Sequence, residues 1–235
     1  VSELVVGVHQ PNFLPWLGYF HKLASSDVFV LLDSVQFSRR SRTKRVQLLA
    51  GTTPIWVTVP VRKPPERGEP LISEALIDDS FPWRRKAVRT LEVSYGSQRG
   101  FEETRELIVP LIEHPTERLA ELNEHAIERI SAALGITGTR MVRASELGVD
   151  AAGAELMAAL TQAVGGTVYL SGDGAGGYHD DAPFVERGIA VRYQGFEHPD
   201  YPQLSDEPVH GLSVVDAMMS VGVSGVQDLL RARVG

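Results

Sequence analysis

The opening 33 residues constrain the fold more than any other part of the chain. Residues 4–8 (LVVGV) are a short apolar, β-branched run that stops at the turn-rich segment 9–15 (HQPNFLP). From Trp16 the pattern becomes helical, because Trp16, Tyr19, Phe20 and Leu23 recur at spacings of three and four. A second continuous apolar run, residues 28–32, follows and closes on Asp33. Strands that are apolar throughout need cover on both faces, and two of them joined by a helix make a βαβ unit. The opening therefore predicts an α/β fold: a mainly parallel, Rossmann-like sheet with helices on both faces.

The rest of the chain extends this pattern. Residues 55–61 (IWVTVPV), 168–170 and 189–193 read as further strands of the sheet, and 141–144 as a short one. Helical periodicity predicts helices over 83–91, 101–112, 116–134, 152–164 and 182–187, with 212–219 and 226–233 closing the chain. Pro110 should kink or end its helix early. Residues 64–70 are a polar excursion suited to a loop. The expected organisation is one compact domain. Residues 1–62 and 136–235 form its α/β core, and 63–135 form a helix-rich middle insertion.

Composition narrows the function classes. With 23 Lys+Arg against 30 Asp+Glu the net charge is −7, which argues against coating duplex nucleic acid. The chain has no cysteine, so disulfides, thiolate catalysis, Fe–S clusters and Cys-ligated zinc are excluded. No run approaches the ~18 apolar residues of a membrane helix, and the first residues lack the basic start of a signal peptide. These features fit a cytoplasmic protein that does not bind membranes. A homo-oligomer is compatible with them.

Ligands of parallel α/β sheets bind outside the carboxyl ends of the strands. The polar clusters at the expected strand ends are His9-Gln10-Pro11-Asn12, the stretch from Asp33 to Gln36, and the loop that begins Ser171-Gly172. Three such clusters at three strand ends should converge on one cleft. His9 there can act as acid or base, and also suits a plain turn-capping role. Asp33 can position a nucleophile or simply bond nearby backbone amides. Arg39, Arg40, Arg42, Lys44 and Arg45 reverse the charge locally, which fits a phosphate or carboxylate site as well as a solvated face. The loop SGDGAGG (171–177) lacks a P-loop ending and the dinucleotide fingerprint. No GxSxG elbow or HExxH spacing occurs, and no metal-ligand set stands out.

The opening HQPNFLPWLGYFHKLASSDVFVLLDSVQFSRRS closely resembles the WbqC-like family of bacterial proteins. The resemblance continues through IWVTVPV, YLSGDGAGGY, VRYQGFEHPDYPQ and LSVVDAMMSVG, and so covers nearly the whole chain. It adds Tyr19, Lys22 and Tyr178 to the candidate residues. It departs from the family pattern at Ser34, around Lys44 and at Ser220. The resemblance implies a tailoring role in O-antigen, other surface polysaccharide or specialised-metabolite biosynthesis.

The expected function is transfer of a small acyl or aminoacyl group to an amino-sugar, sugar nucleotide or similar metabolite with an anionic group. His9 and Asp33 would be catalytic. Gln10, Asn12, Tyr19, Lys22, Gln36, Arg40, Arg45, Gly172 and Tyr178 would bind substrate. An alternative is a nucleotidyl- or adenylyltransferase using ATP and Mg²⁺. The opening is similar, at fold level, to nucleotidyltransferases with an HxGH signature, although Asn12 stands where the second histidine would be. A further alternative is a non-catalytic accessory protein of a polysaccharide assembly complex.

Overall fold

The computed structural model describes residues 2–64, 68–172 and 180–231. Five strands form a wholly parallel sheet: β1 (Val5–His9), β2 (Val28–Leu31), β5 (Arg140–Arg143), β6 (Val168–Ser171) and β7 (Ala190–Tyr193). Their order across the sheet is β5-β2-β1-β6-β7. The chain thus builds outward from β1 in both directions. Such a reversal opens a crevice at the carboxyl ends of the two central strands, here β1 and β6.

Alternation along the strands explains the cover on both faces. Val6, Val8, Val28 and Val30 point to one side and pack with Leu156 and Leu160 of α5 (Gly153–Ala163) and Phe184 of α6 (Ala182–Glu186). Phe29 and Leu31 point to the other and meet Tyr19 and Leu23 of α1 (Leu17–Ala24) and Ile127 of α4 (Leu119–Ala133). Gly7 shares that second face. A Cβ there would lie 2.5 Å from Ser26 Oγ and 2.9 Å from the Phe29 ring, so β1 seats against both only as glycine. The fold is α/β and Rossmann-like, as the opening residues imply.

Residues 55–61 do not join this sheet. Their strand is β4 (Thr53–Thr58), paired antiparallel with β3 (Arg45–Ala50) in a separate two-stranded sheet. Ala50 pairs with Thr53 across a two-residue turn, where Gly51 takes φ 59. The hairpin has one core face, where Val46, Leu48 and Val57 are buried; Trp56 stands exposed on the other, with only Leu49 of that face buried. A strand buried on one face suits a flanking hairpin better than the centre of a parallel sheet.

The hairpin packs with α2 (Trp83–Tyr95), α3 (Phe101–Ile112), α4 and α7 (Val214–Arg231) around the largest apolar cluster, which Phe13, Leu17 and Phe20 also enter. Pro110 does not end α3, which runs on through it to Ile112. It lies on the exposed side, as does Glu106 one turn earlier, whose carbonyl is the one that proline, lacking an N–H, leaves without its helical donor. The two closing helices are halves of α7, broken at Gly222 (φ 80, ψ 169). The start of α3 seals the break: Gly100 N donates to Met219 O at 2.8 Å, and Val223 N to Glu103 Oε2 at 3.1 Å.

Candidate functional site

A cavity of about 420 Å³ lies at the carboxyl ends of β1 and β6. It is lined by His9, Trp16, Gly18, Tyr19, Lys22, Tyr169, Ser171, Gly172, Gln194 and Phe196. Volume and place both suit a small-molecule ligand.

The loop after β1 is held rigidly. Asn123 of α4 donates to Pro11 O at 2.8 Å and to Thr43 O at 2.7 Å. Phe13 N donates to Arg42 O at 3.0 Å, and Ser213 Oγ to Leu14 O at 2.7 Å. Leu14 is held at φ 41, a left-handed conformation costly for a branched side chain. Strain of this kind, fixed from several directions, is characteristic of sites where a loop must present its neighbours in one geometry.

His9, the last residue of β1, sits edge-on to Trp16 (5.4 Å between ring centroids) and Tyr19 (4.9 Å). Its Nδ1 is 3.1 Å from Gln10 O. A carbonyl can only accept, so Nδ1 carries the proton and Nε2 carries the lone pair. Burial, and then the charge of Lys22, lower its pKa from 6.5 to about 4. The imidazole is therefore neutral at pH 7.

Lys22 supplies the charge among the described residues that line the cavity. It lies on the inner face of α1, is 4% exposed, and donates from Nζ to Val8 O at 2.9 Å. Its ammonium also lies 5.9 Å from the centre of the Tyr169 ring. Burial pushes the Tyr169 hydroxyl up to about 12. Tyr19 is fully packed, and its hydroxyl is buried with no hydrogen-bond partner among the described residues. Burial, with Glu124 nearby, raises its pKa well above the usual phenol value. On the far wall Gln194 Nε2 donates to Gly18 O at 2.7 Å. Among the described residues, the cavity is thus an aromatic-walled pocket that holds a buried cation and a neutral imidazole. It can bind an anionic group and accept a proton beside it.

The three strand-end clusters do not all meet here. His9 and Gly172 share the cavity, but Asp33 is not among its lining residues. The Asp33 carboxylate is turned toward the end of β5, where it accepts from Ser145 N (2.9 Å) and Ser145 Oγ (2.7 Å). β2 lies between β1 and β5, so its end opens on a different part of the edge. Asn12 is buried and Gln10 half-buried in the loop, and neither lines the cavity. Gln36 reaches Glu69 O at 3.5 Å.

Arg40 and Arg45 also stand away from the cavity. Arg45 Nη2 donates to Arg40 O at 2.8 Å, and its guanidinium lies 4.2 Å from the centre of the Trp56 ring. Arg39 pairs with Glu69 at 2.5 Å. Arg42 lies 5.5 Å from the Trp16 ring and 5.6 Å from the Trp56 ring, and donates to Gly211 O at 2.9 Å. Aromatic side chains distant in sequence thus absorb much of the cationic run. Tyr178 lies outside the described residues.

Gly18, Tyr169, Gln194 and Phe196 line the cavity without having been singled out, whereas Ser171 was reached with Gly172 as a strand-end residue and Trp16 only as part of the helical pattern and the family opening. The strand-end rule applied to β7 would have reached Gln194. Nothing in the sequence marks Phe196. Among the described residues no group of three or more His, Asp or Glu is placed to hold a metal ion, and no helix is long and apolar enough to cross a membrane.

No solved structure matches the chain. It is similar to the uncharacterized protein Rv1507c of Mycobacterium tuberculosis (strain ATCC 25618 / H37Rv), with 31% identity over 228 residues, covering 96% of this chain and 97% of that protein. The WbqC-like protein family matches residues 10–228, a span that includes α1, Lys22 and every strand except β1, whose last residue, His9, lies just before it. The chain belongs to the WbqC-like protein family.

Proposed function

We propose that the β1/β6 cavity is the active site of a cytoplasmic transferase that tailors a small anionic metabolite in polysaccharide or specialised-metabolite biosynthesis. The transferred group is acyl or aminoacyl, and the acceptor is an amino-sugar, sugar nucleotide or comparable molecule. The observation that carries this reading is the buried Lys22 ammonium beside the neutral His9 at the topological switch point. Lys22 binds the anionic group, and Trp16, Tyr19 and Phe196 exclude water around it.

In the transfer, the acceptor amine or hydroxyl attacks the acyl carbonyl of the donor. Its bond to carbon forms, the bond to the leaving group breaks, and the displaced proton passes to His9 Nε2 and on to the leaving group. A pKa near 4 makes His9 a weak base in the free protein. An anion on Lys22 offsets the main charge that depresses it and draws it toward the working range.

A nucleotidyl- or adenylyltransferase using ATP and Mg²⁺ is the second reading. The buried lysine favours it, since a phosphate is a natural partner for a desolvated ammonium. Thermal shift tests both readings, with sugar nucleotides, aminoacyl and acyl donors, and ATP with and without Mg²⁺ as probes. A binder should lose its shift in Lys22→Met. His9→Asn should keep the shift and lose turnover. A binder indifferent to Lys22→Met would remove the basis of the proposal.

A further inference from the structure

A second, smaller cavity of about 210 Å³ lies at the carboxyl ends of β2 and β5. Its charged and polar walls are Asp33, Ser73, Arg118, Glu121, Arg143 and Ser145. The two acids and two guanidiniums sum to zero charge. Its volume is that of roughly seven waters, enough for an amino acid with a small side chain and too little for a nucleotide.

The walls differ in what they have left to offer. Asp33 is 2% exposed, and its two oxygens accept one bond each, both from Ser145. A carboxylate has about four acceptor positions, so among the described residues two are left without a donor. Arg143 is already committed to Glu124, with Nε donating to Oε2 at 2.6 Å and Nη2 paired to the same oxygen. Arg118 is not. Its Nη1 donates to Ser73 O at 3.1 Å and its Nε is 3.8 Å from Glu121 Oε1, so among the described residues its Nη2 donors have no acceptor.

We propose that this cavity binds a small α-amino acid as its zwitterion, the ammonium on Asp33 and the carboxylate on Arg118. A lone anion such as phosphate would face Asp33 and Glu121 as well as the arginines. A lone amine would leave the Arg118 fork unmatched. The zwitterion satisfies both signs in one molecule of the right size. The assignment is independent of the chemistry proposed for the β1/β6 cavity.

Calorimetric titration at pH 7 with glycine, L-alanine and L-serine tests it. N-acetylglycine (no ammonium), glycinamide (no carboxylate) and inorganic phosphate are the controls. The amino acids should bind and the three controls should not. Arg118→Gln, at a largely exposed side chain, should weaken binding about tenfold or more with an unchanged melting temperature. Asp33→Asn should likewise weaken binding, and should it not fold, Arg118→Gln decides alone. Lys22→Met should leave the affinity intact. No binding at millimolar amino acid, equal binding of a blocked form or of phosphate, or indifference to Arg118→Gln would overturn the assignment. So would loss of binding in Lys22→Met, which would move the amino acid to the other cavity.

Discussion

Acidification should destabilise this protein through His9 before its carboxylates titrate fully. In the unfolded chain the imidazole takes a proton near 6.5, whereas in the folded protein burial and Lys22 hold it off until about pH 4. Between those values the unfolded state binds more protons, so stability falls as pH falls through that window. The interval is about 2.5 pH units, worth about 3 kcal/mol in all. That is a large share of the ~5–15 kcal/mol that holds a typical domain folded. His125 and His198 are also depressed by burial and act in the same direction, so the bare pH profile is not specific. His9→Asn isolates the effect, because asparagine can still donate to Gln10 O and does not titrate. Urea unfolding at steps from pH 7 to pH 4 should show the wild type losing about 3 kcal/mol more than the variant. An NMR titration should find the His9 imidazole neutral until about pH 4. Parallel losses in the two proteins, or an imidazole that titrates near 6.5 in the folded state, would refute the buried neutral histidine.

Tyr95→Phe should cost about 1–3 kcal/mol in urea unfolding, because the Tyr95 hydroxyl accepts from Leu49 N at 2.8 Å and donates to the buried Asp216 at 2.6 Å. A loss below about 0.5 kcal/mol would mean water replaces it freely. Gly7→Ala should destabilise by about 1–3 kcal/mol, since its Cβ would collide with Ser26 Oγ and the Phe29 ring. An unchanged melting temperature would show that α1 and β2 yield more easily than their packing implies. Arg42→Lys should lose the planar contact with Trp16 and Trp56 and weaken the Gly211 tie, costing about 1 kcal/mol, with a change in tryptophan fluorescence as the local readout. Identical spectra would show that the stack is incidental.

The parallel sheet was legible because its signal is local: β1 and β2 are continuous apolar runs, and the spacing of Trp16, Tyr19, Phe20 and Leu23 shows the helix between them. The hairpin was misplaced because IWVTVPV reads alike in a central strand or a flanking one. Its partner β3 is hidden behind the cationic run that feeds it. His9 and Gly172 could be placed in one cavity from the strand-end rule alone. Asp33 obeys the same rule but belongs to the neighbouring pair of strands, and sheet order is not written in any single segment. Lys22 entered only through the family resemblance. A lysine on an amphipathic helix normally points to water, and only the close approach of α1 to the end of β1 buries this one. The fate of the arginines depended on Trp56, more than ten residues away and across a turn.

The central claim is that a small anionic metabolite binds on Lys22 between the ends of β1 and β6. The most direct measurement is backbone chemical-shift mapping on isotope-labelled protein, titrated with sugar nucleotides, sugar phosphates and ATP. Binding by the active ligand should shift His9, Trp16, Gly18, Lys22, Ser171 and Gln194 together, and these shifts should vanish in Lys22→Met while the remaining spectrum stays native. Shifts confined to the Trp56 surface, or a binder that moves none of the cavity residues, would contradict the account.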